Sequence, residues 1–586
     1  MFKHSNFIIT TVSEKISIIL IFFYFITLNL FQASNQHWSS ITDQDMIIIF
    51  NSLLIYSDID QNYTHHPAFT TFLILGGLFK ILSIFFEGFT LIEILNSNDI
   101  DQKLQNLFSI ARILNSIFIF SFIFLLFKIL KDLNLRPIIT IFTTLLILTF
   151  INIYELLFLV RNEIVSVLFC LLGFNLLIRY VKHKKSKVYC FFSGIFFCLA
   201  LLAKIQVIFL LFFLIILFPL LFYFFETPTS NFTINNYNFK ILTTLFSSIL
   251  IGYFVFEVFF GFSILSNYVD KVISLPHYID LILFLTFIIF YFLYLCFLSR
   301  NEKINIREVL SANYLILFGI IFCSIFFIFL DLIGLIRFHE INIFFLTNPI
   351  HSMSWHTWKI FDLDYTGEFS FKNLMEKFGP LLSMNYKLWI NKSFTFEIAG
   401  ILIGIQDFFR FIYIFICSLL LLFVLFIKKN KKITSMIFIL FIGILVLIIS
   451  FGVRNSVGYN VYFYPLYLII IALAINLIES KKLILAVFSI IFISSLTEFY
   501  LMRNFYGGMF TRENRIYHIC GIDHWKNSEN YVKKMNEKRF VGLVGKPKSF
   551  IHNYVDVMDA KFFKTYCAQL EKKVSWKSNF FNIKLK

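Results

Sequence analysis

Residues 188–225 read VYCFFSGIFFCLALLAKIQVIFLLFFLIILFPLLFYFF, two apolar runs divided by one cation, Lys204. Just before them, Arg179 through Lys187 contributes Lys182, His183, Lys184, Lys185 and Lys187. Runs of about 20 apolar residues cross a bilayer core as helices, and basic loops stay on the cytoplasmic side. The stretch therefore reads as a basic loop, a span, a tight outer turn at Lys204 and a returning span. The rest of the chain repeats this pattern. Of 586 residues, 59% are hydrophobic, 20% are aromatic with 83 Phe, and only 15% are charged. Mean hydropathy is +0.80. These values exclude a soluble multidomain enzyme. The formal charge of +16 lies in short clusters between apolar runs rather than on one exposed face, which argues for membrane topology and against nucleic acid as a partner.

Working outward, the first apolar run, Ile16 to Phe31, follows Lys3, His4 and Lys15 without a cleavage site, which predicts a retained span and a cytoplasmic N-terminus. Further spans fall at about 108–127, 137–155, 164–180, 188–203, 205–225, 240–260, 279–298, 309–335, 406–427, 433–451, 461–478 and 483–500, about 13 with the first. Lys128 to Arg136, Arg179 to Lys187, Arg300 to Arg307, Lys428 to Lys432, and Lys481 with Lys482 then all share one side. Ala68 to Phe86 must stay out of the count, because another crossing would reverse that parity. It reads as a buried or interfacial helix, with Pro67 at its first turn and Lys80 interrupting it. The expected fold is an all-α polytopic membrane protein. Residues 1–500 form the transmembrane domain with outer loops 32–107 and 336–405, and residues 501–586 form a small extracytoplasmic C-terminal domain. That tail holds Cys520 and Cys567, which could pair in an oxidising compartment or stay as thiols. Asn62 and Asn391 open glycosylation sequons of a kind that arises by chance in an Asn-rich chain. No internal repeat, P-loop, GxGxxG, CxxC or HExxH occurs.

Residues able to carry chemistry gather on the outer side. Asp43 and Asp45 follow the first span, Met46 to Tyr56 is long enough for about three helical turns at the interface, and Asp58, Asp60, His65 and His66 follow. Solvated loop carboxylates are the plain alternative, weakest for Asp43 and Asp45, which abut the bilayer surface. Arg161 and Glu163 meet at the next outer turn, as a site or as a structural ion pair with a snorkelling Arg. Lys204 faces either a lipid phosphate or the interface. Arg454, with Tyr459 and Pro465 after it, opens the twelfth span with groups suited to an anionic head group.

The order of these elements resembles that of the C-type (GT-C) glycosyltransferases that use polyprenyl-phosphate sugars, glycosyltransferase family 39 and its aminoarabinose-transferase relatives. They are an acidic pair after the first span, an interfacial helix, a His-Pro, an Arg-x-acid, an Ala-Lys between spans, and an Arg followed by Tyr and Tyr-Pro. The resemblance covers about residues 10–480. It implies that Asp43 is the general base on the acceptor or a metal ligand, with Asp45 one position beyond the usual adjacent pair. It implies that His65 and His66 order the loop or contact the donor phosphate, with Ala68 replacing a second proline. Glu163 matches the second acidic site and Arg161 the basic residue before it, while Lys204 and Arg454, with Tyr459, lie near the lipid phosphate.

The reaction implied is sugar transfer from a polyprenyl-phosphate donor to an extracytoplasmic acceptor. The setting is a multi-pass protein of the cell membrane, a bacterial inner membrane being favoured. No cofactor is required; a divalent metal held by Asp43, Asp45, Glu163 and His65 is compatible with the residues but demanded by no spacing. A lipid-linked glycan ligase or polymerase shares these needs. A secondary transporter would instead place ionisable groups at mid-bilayer and break its helices with Gly and Pro.

Overall fold

The computed structural model describes residues 16, 18–30, 45–56, 68–97, 100–150, 153–154, 156–157, 159–183, 186–225, 290–291, 293–298, 306–338, 412–452 and 457–506. Most of these residues are helical and none lies in a strand. In chain order the helices are α1 (Ile18–Leu28), α2 (Asp45–Leu54), α3 (Phe69–Leu82), α4 (Leu91–Leu95), α5 (Ile100–Asp132), α6 (Pro137–Leu146), α7 (Asn162–His183), α8 (Val188–Ala203) and α9 (Ile208–Phe224). There follow α10 (Ile306–Leu332), α11 (Ile412–Lys428), α12 (Lys431–Gly452), α13 (Tyr464–Ile475) and α14 (Lys481–Tyr506). Among the described residues, Gln102–Asp132, Asn162–His183, Ile205–Phe224 and Ile306–Leu332 are long and apolar enough to cross a membrane. Large apolar side chains such as Phe318, Phe326 and Phe329 on α10 and Leu485, Ile490 and Ile493 on α14 stand exposed. In water such a belt would aggregate, whereas hydrocarbon covers it at no cost. The chain is a membrane protein.

The helix ends sort by charge. Asp132, closing α5, accepts from Arg179 Nε at 3.2 Å and Asn175 Nδ2 at 3.3 Å, both on the last turns of α7, and its carbonyl accepts from Lys182 at 2.7 Å. Arg136, just before α6, wraps the end of α13: its Nη2 donates to the carbonyls of Ile475 (3.0 Å), Asn476 (2.9 Å) and Ile478 (2.6 Å). These are the carbonyls that a helix leaves without internal partners, and a cation there also opposes the negative end of the helix dipole. Lys432, at the start of α12, lies 5.3 Å from the ring centre of Tyr223 at the end of α9. The ends of α5, α7, α9 and α13 and the starts of α6 and α12 thus share one basic end. From it α8 runs away and α9 returns. The side of the membrane that each basic loop shares in the sequence is, for these helices, one end of one bundle.

A second core lies at the far end. Ile48, Ile49 and Leu54 of α2, Phe69, Phe72 and Phe79 of α3, Ile94 of α4 and the first turns of α5 pack with Cys198, Leu202, Cys323 and Phe327. The helices of this cap are 10, 14 and 5 residues long. At 1.5 Å per residue even α3 reaches only about 21 Å, short of a crossing. Both stretches expected to be helical between residues 45 and 86 are helices, α3 ending at Leu82. Their close approach needs Gly76, where a Cβ would collide with the Ser52 carbonyl of α2. Thr70 fastens α3 to the bundle, its hydroxyl donating to the Leu199 carbonyl of α8 at 2.7 Å. α4 carries a capping box: Thr90 accepts from the Glu93 N–H, and the Glu93 carboxylate accepts from the N–H groups of Gly88, Phe89 and Thr90. Burial works against that charge, but the three donors outweigh it and hold the carboxyl below its ordinary value.

The expected spans and the observed helices agree closely at 188–203 and 205–225. They differ at 137–155, where the α-helix stops at Leu146, a 3-10 turn runs to Thr149 and Phe150 is extended. The expected span at 240–260 lies outside the described residues, and so does the expected C-terminal domain 501–586 beyond residue 506, with Cys520 and Cys567; its first six residues continue α14.

Candidate active site

At the end opposite the basic loops, α8 stops at Ala203 and Lys204 takes an extended conformation (φ −161°, ψ 117°). Its N–H still donates to the Ala200 carbonyl at 3.1 Å, and a 3-10 turn, Ile205–Val207, leads into α9. One extended residue therefore reverses the chain and turns its side chain inward. Lys204 Nζ lies 3.2 Å from Glu163 Oε1 in the first turn of α7, with the two side chains only 1% and 2% exposed. Neither group snorkels. Arg161, itself buried, is close enough to act as a second positive charge on the same carboxylate.

The start of α7 is fixed from α5. Asn115 Nδ2 donates to the Leu159 carbonyl at 2.8 Å and to that of Leu156, anchoring the irregular segment that delivers Arg161 and Glu163. Asn29, just after α1, donates to the Arg112 carbonyl at 3.0 Å and to Ser116 at 2.6 Å, so the first helix is tied to the same level of α5. On the other flank, Ser166 donates to the Glu163 carbonyl at 2.8 Å and lies 3.2 Å from the Tyr462 hydroxyl. That bond joins α7 to the 3-10 turn Val457–Tyr462.

Buried polar groups normally find partners, yet among the described residues Glu163 Oε2 and both amide atoms of Asn162 and of Gln206 have none. Leaving such a group unmade costs about 1–3 kcal/mol. Arg112 stands twenty residues, roughly 30 Å, before the basic end of α5, and Glu163 stands the same distance before the end of α7. Thirty ångströms is about one hydrocarbon thickness.

Three residues expected at the site, Arg161, Glu163 and Lys204, are thus brought together. Asp45 opens α2 and Tyr459 lies in the Val457–Tyr462 turn by their backbones, while Asp43, His65, His66 and Arg454 lie outside the described residues. Of the expected metal ligands Asp43, Asp45, Glu163 and His65, the side chain of Glu163 is described, and its Oε1 faces the Lys204 ammonium. Sequence reasoning missed Arg112, fully buried with its guanidinium 5.6 Å from the Phe108 ring centre, along with Asn115 and Gln206. An Arg and an Asn three apart inside an apolar run, Arg112-Ile-Leu-Asn115, were the available signal.

No family model, curated protein or solved structure matches this chain.

Proposed function

We propose that the chain is an integral membrane glycosyltransferase that moves a sugar from a polyprenyl-phosphate donor to an extracytoplasmic acceptor. The observation that carries this reading is the buried Lys204–Glu163 pair, with Arg161 beside it, at a membrane boundary under the α2–α3 cap. A lipid-phosphate donor presents its anomeric carbon at that depth, with its tail in hydrocarbon and its phosphate at the boundary.

In the transfer, an acceptor hydroxyl or amine attacks the anomeric carbon, the carbon–oxygen bond to phosphate breaks, and a carboxylate takes the acceptor proton. Asp43, with Asp45 two positions on in sequence, is assigned as that base; Glu163 offers Oε2 as a hydrogen-bond acceptor for the sugar or the acceptor. The leaving group is polyprenyl monophosphate, whose developing charge needs fixed cations in a dry setting. Arg161 and Lys204 supply them, with Arg454 and the histidines assigned to the same phosphate. Lys204 has a second role, holding Glu163 in one position so that Oε2 stays aimed.

A glycan ligase or polymerase using the same lipid chemistry is the second reading. A transporter is disfavoured by depth, since Glu163 and Lys204 sit at helix ends rather than mid-bilayer. The test is transfer of radiolabelled sugar from a panel of polyprenyl-phosphate sugars by purified wild type, Asp43→Asn and Glu163→Gln. Wild-type transfer reduced about 100-fold or more in Asp43→Asn, with folding retained, supports the assignment. Transfer by Asp43→Asn at the wild-type rate removes Asp43 as the base.

A further inference from the structure

Beside the Lys204–Glu163 pair stand two amides to which the transfer chemistry assigns no role. Gln206 lies in the 3-10 turn Ile205–Val207 that follows Lys204, and that turn packs against α7, which Asn162 and Glu163 open. The 3.2 Å ion pair joins the turn to the first residues of α7. Asn162 and Gln206 are only 1% and 3% exposed, and their chain neighbours Ile164, Ile205 and Val207 are buried apolar side chains. Among the described residues neither amide makes a hydrogen bond through its oxygen or its nitrogen, and Glu163 Oε2 accepts none. The end of α8 and the start of α7 therefore bring two uncommitted amides and an uncommitted carboxylate oxygen to one buried junction.

The chemistry of that set selects its ligand. A carboxamide donates through its N–H groups and accepts at its oxygen, so the amides and Oε2 together offer donors and acceptors. An ionised phosphate only accepts, and cations such as Arg161 and Lys204 meet it better. A hydroxyl both donates and accepts, and a sugar presents several in adjacent positions. The amides are neutral, so in a dry setting they compensate no charge on what they hold. The partner that fits them is the uncharged, hydroxyl-bearing face of a sugar.

Resting on the glycosyltransferase reading above, we propose that Asn162 and Gln206 bind hydroxyls of the sugar being transferred and select a neutral sugar, its phosphate being left to the cations. A buried polar group without a partner destabilises the free protein, and a hydrogen bond to the donor removes that penalty. Apolar side chains of similar size at these positions should therefore stabilise the protein and weaken sugar recognition together.

The experiment is native mass spectrometry of the full chain, titrated in detergent with undecaprenyl phosphate and with its glucosyl, galactosyl, mannosyl and arabinosyl esters. Thermal unfolding is followed alongside, for wild type, Asn162→Leu and Gln206→Met. Wild type should bind at least one sugar ester about tenfold more tightly than the bare lipid phosphate. Each variant should lose most of that margin, keep its affinity for the bare lipid, and melt no lower than wild type. Equal binding of the bare lipid and every ester by wild type, or a margin unchanged in both variants, would overturn the inference and leave the lipid-phosphate reading standing. So would a lower melting temperature in both variants, because the amides would then be holding the fold. Binding of none of these lipids by wild type would overturn the glycosyltransferase reading, and the inference with it.

Discussion

Replacing Lys204 by Met keeps the length of the side chain and removes its charge. Glu163, 2% exposed, then keeps its burial and loses the ammonium 3.2 Å away. Breaking one partner out of a buried ion pair typically costs about 3–5 kcal/mol, whereas replacing both by apolar groups is often neutral. Glu163→Leu should be comparably damaging, since it strands Lys204 beside Arg161. The double variant should recover much of the loss, giving a coupling energy of about 2–3 kcal/mol in a double-mutant cycle. That magnitude is informative because hydrogen bonds within membranes average only about 0.6 kcal/mol and reach about 1.7. The assay is equilibrium unfolding by SDS titration of wild type, both single variants and the double variant in one detergent. Single losses below about 1 kcal/mol that simply add would refute the reasoning, because the pair would then be hydrated and the site would lack the dry electrostatics assigned to it.

Other outcomes follow from the packing. Gly194 of α8 and Gly319 of α10 face each other so closely that a Cβ on either meets a backbone carbonyl, Ile316 or Phe191 respectively. Gly319→Val should therefore lower stability by about 1–3 kcal/mol in thermal unfolding, while Gly77→Ala, whose nearest obstacle is the movable Tyr56 ring, should lower it less. Arg136→Gln removes three charge-assisted bonds from the end of α13 and should cost about 1.5–3 kcal/mol in the same assay. The Glu93 carboxyl is held below its usual value of 4.5, so its stabilisation is complete above that pH and fades as pH falls through the folded value. Wild type should melt above Glu93→Gln at pH 7, and the gap should close on acidification below 4.5; a gap that widens there would reverse the sign.

Much of the fold was legible because hydropathy and charge act locally. Runs without charge had to be buried or lipid-facing, and the clusters Arg179–Lys187 and Lys428–Lys432 fixed which ends belonged together. Lys204 and Glu163 stood out for the same reason, as ionisable residues interrupting apolar sequence. Their mutual distance was not legible, because it depends on how Asn115 pins the segment ahead of α7 and how one extended residue turns the chain at Lys204. The early end of α6 escaped for a similar reason, since nothing in the apolar run 137–155 marks where Phe150 leaves the helix to stack on Tyr464 at 4.3 Å. The α8–α10 seam was hidden too: a lone Gly in an apolar helix looks the same whether it faces lipid or a carbonyl.

The central claim is that a polyprenyl monophosphate sugar is consumed at the Glu163–Lys204 end. It is tested most directly by mass spectrometry of the lipid products formed by purified protein in proteoliposomes with labelled donor and membrane-extract acceptors. The account predicts one polyprenyl monophosphate released for each sugar transferred by wild type, and about 100-fold less by Asp43→Asn. Release of polyprenyl diphosphate would contradict it in favour of a ligase or polymerase, and donor left intact beside every acceptor would contradict the transferase assignment itself.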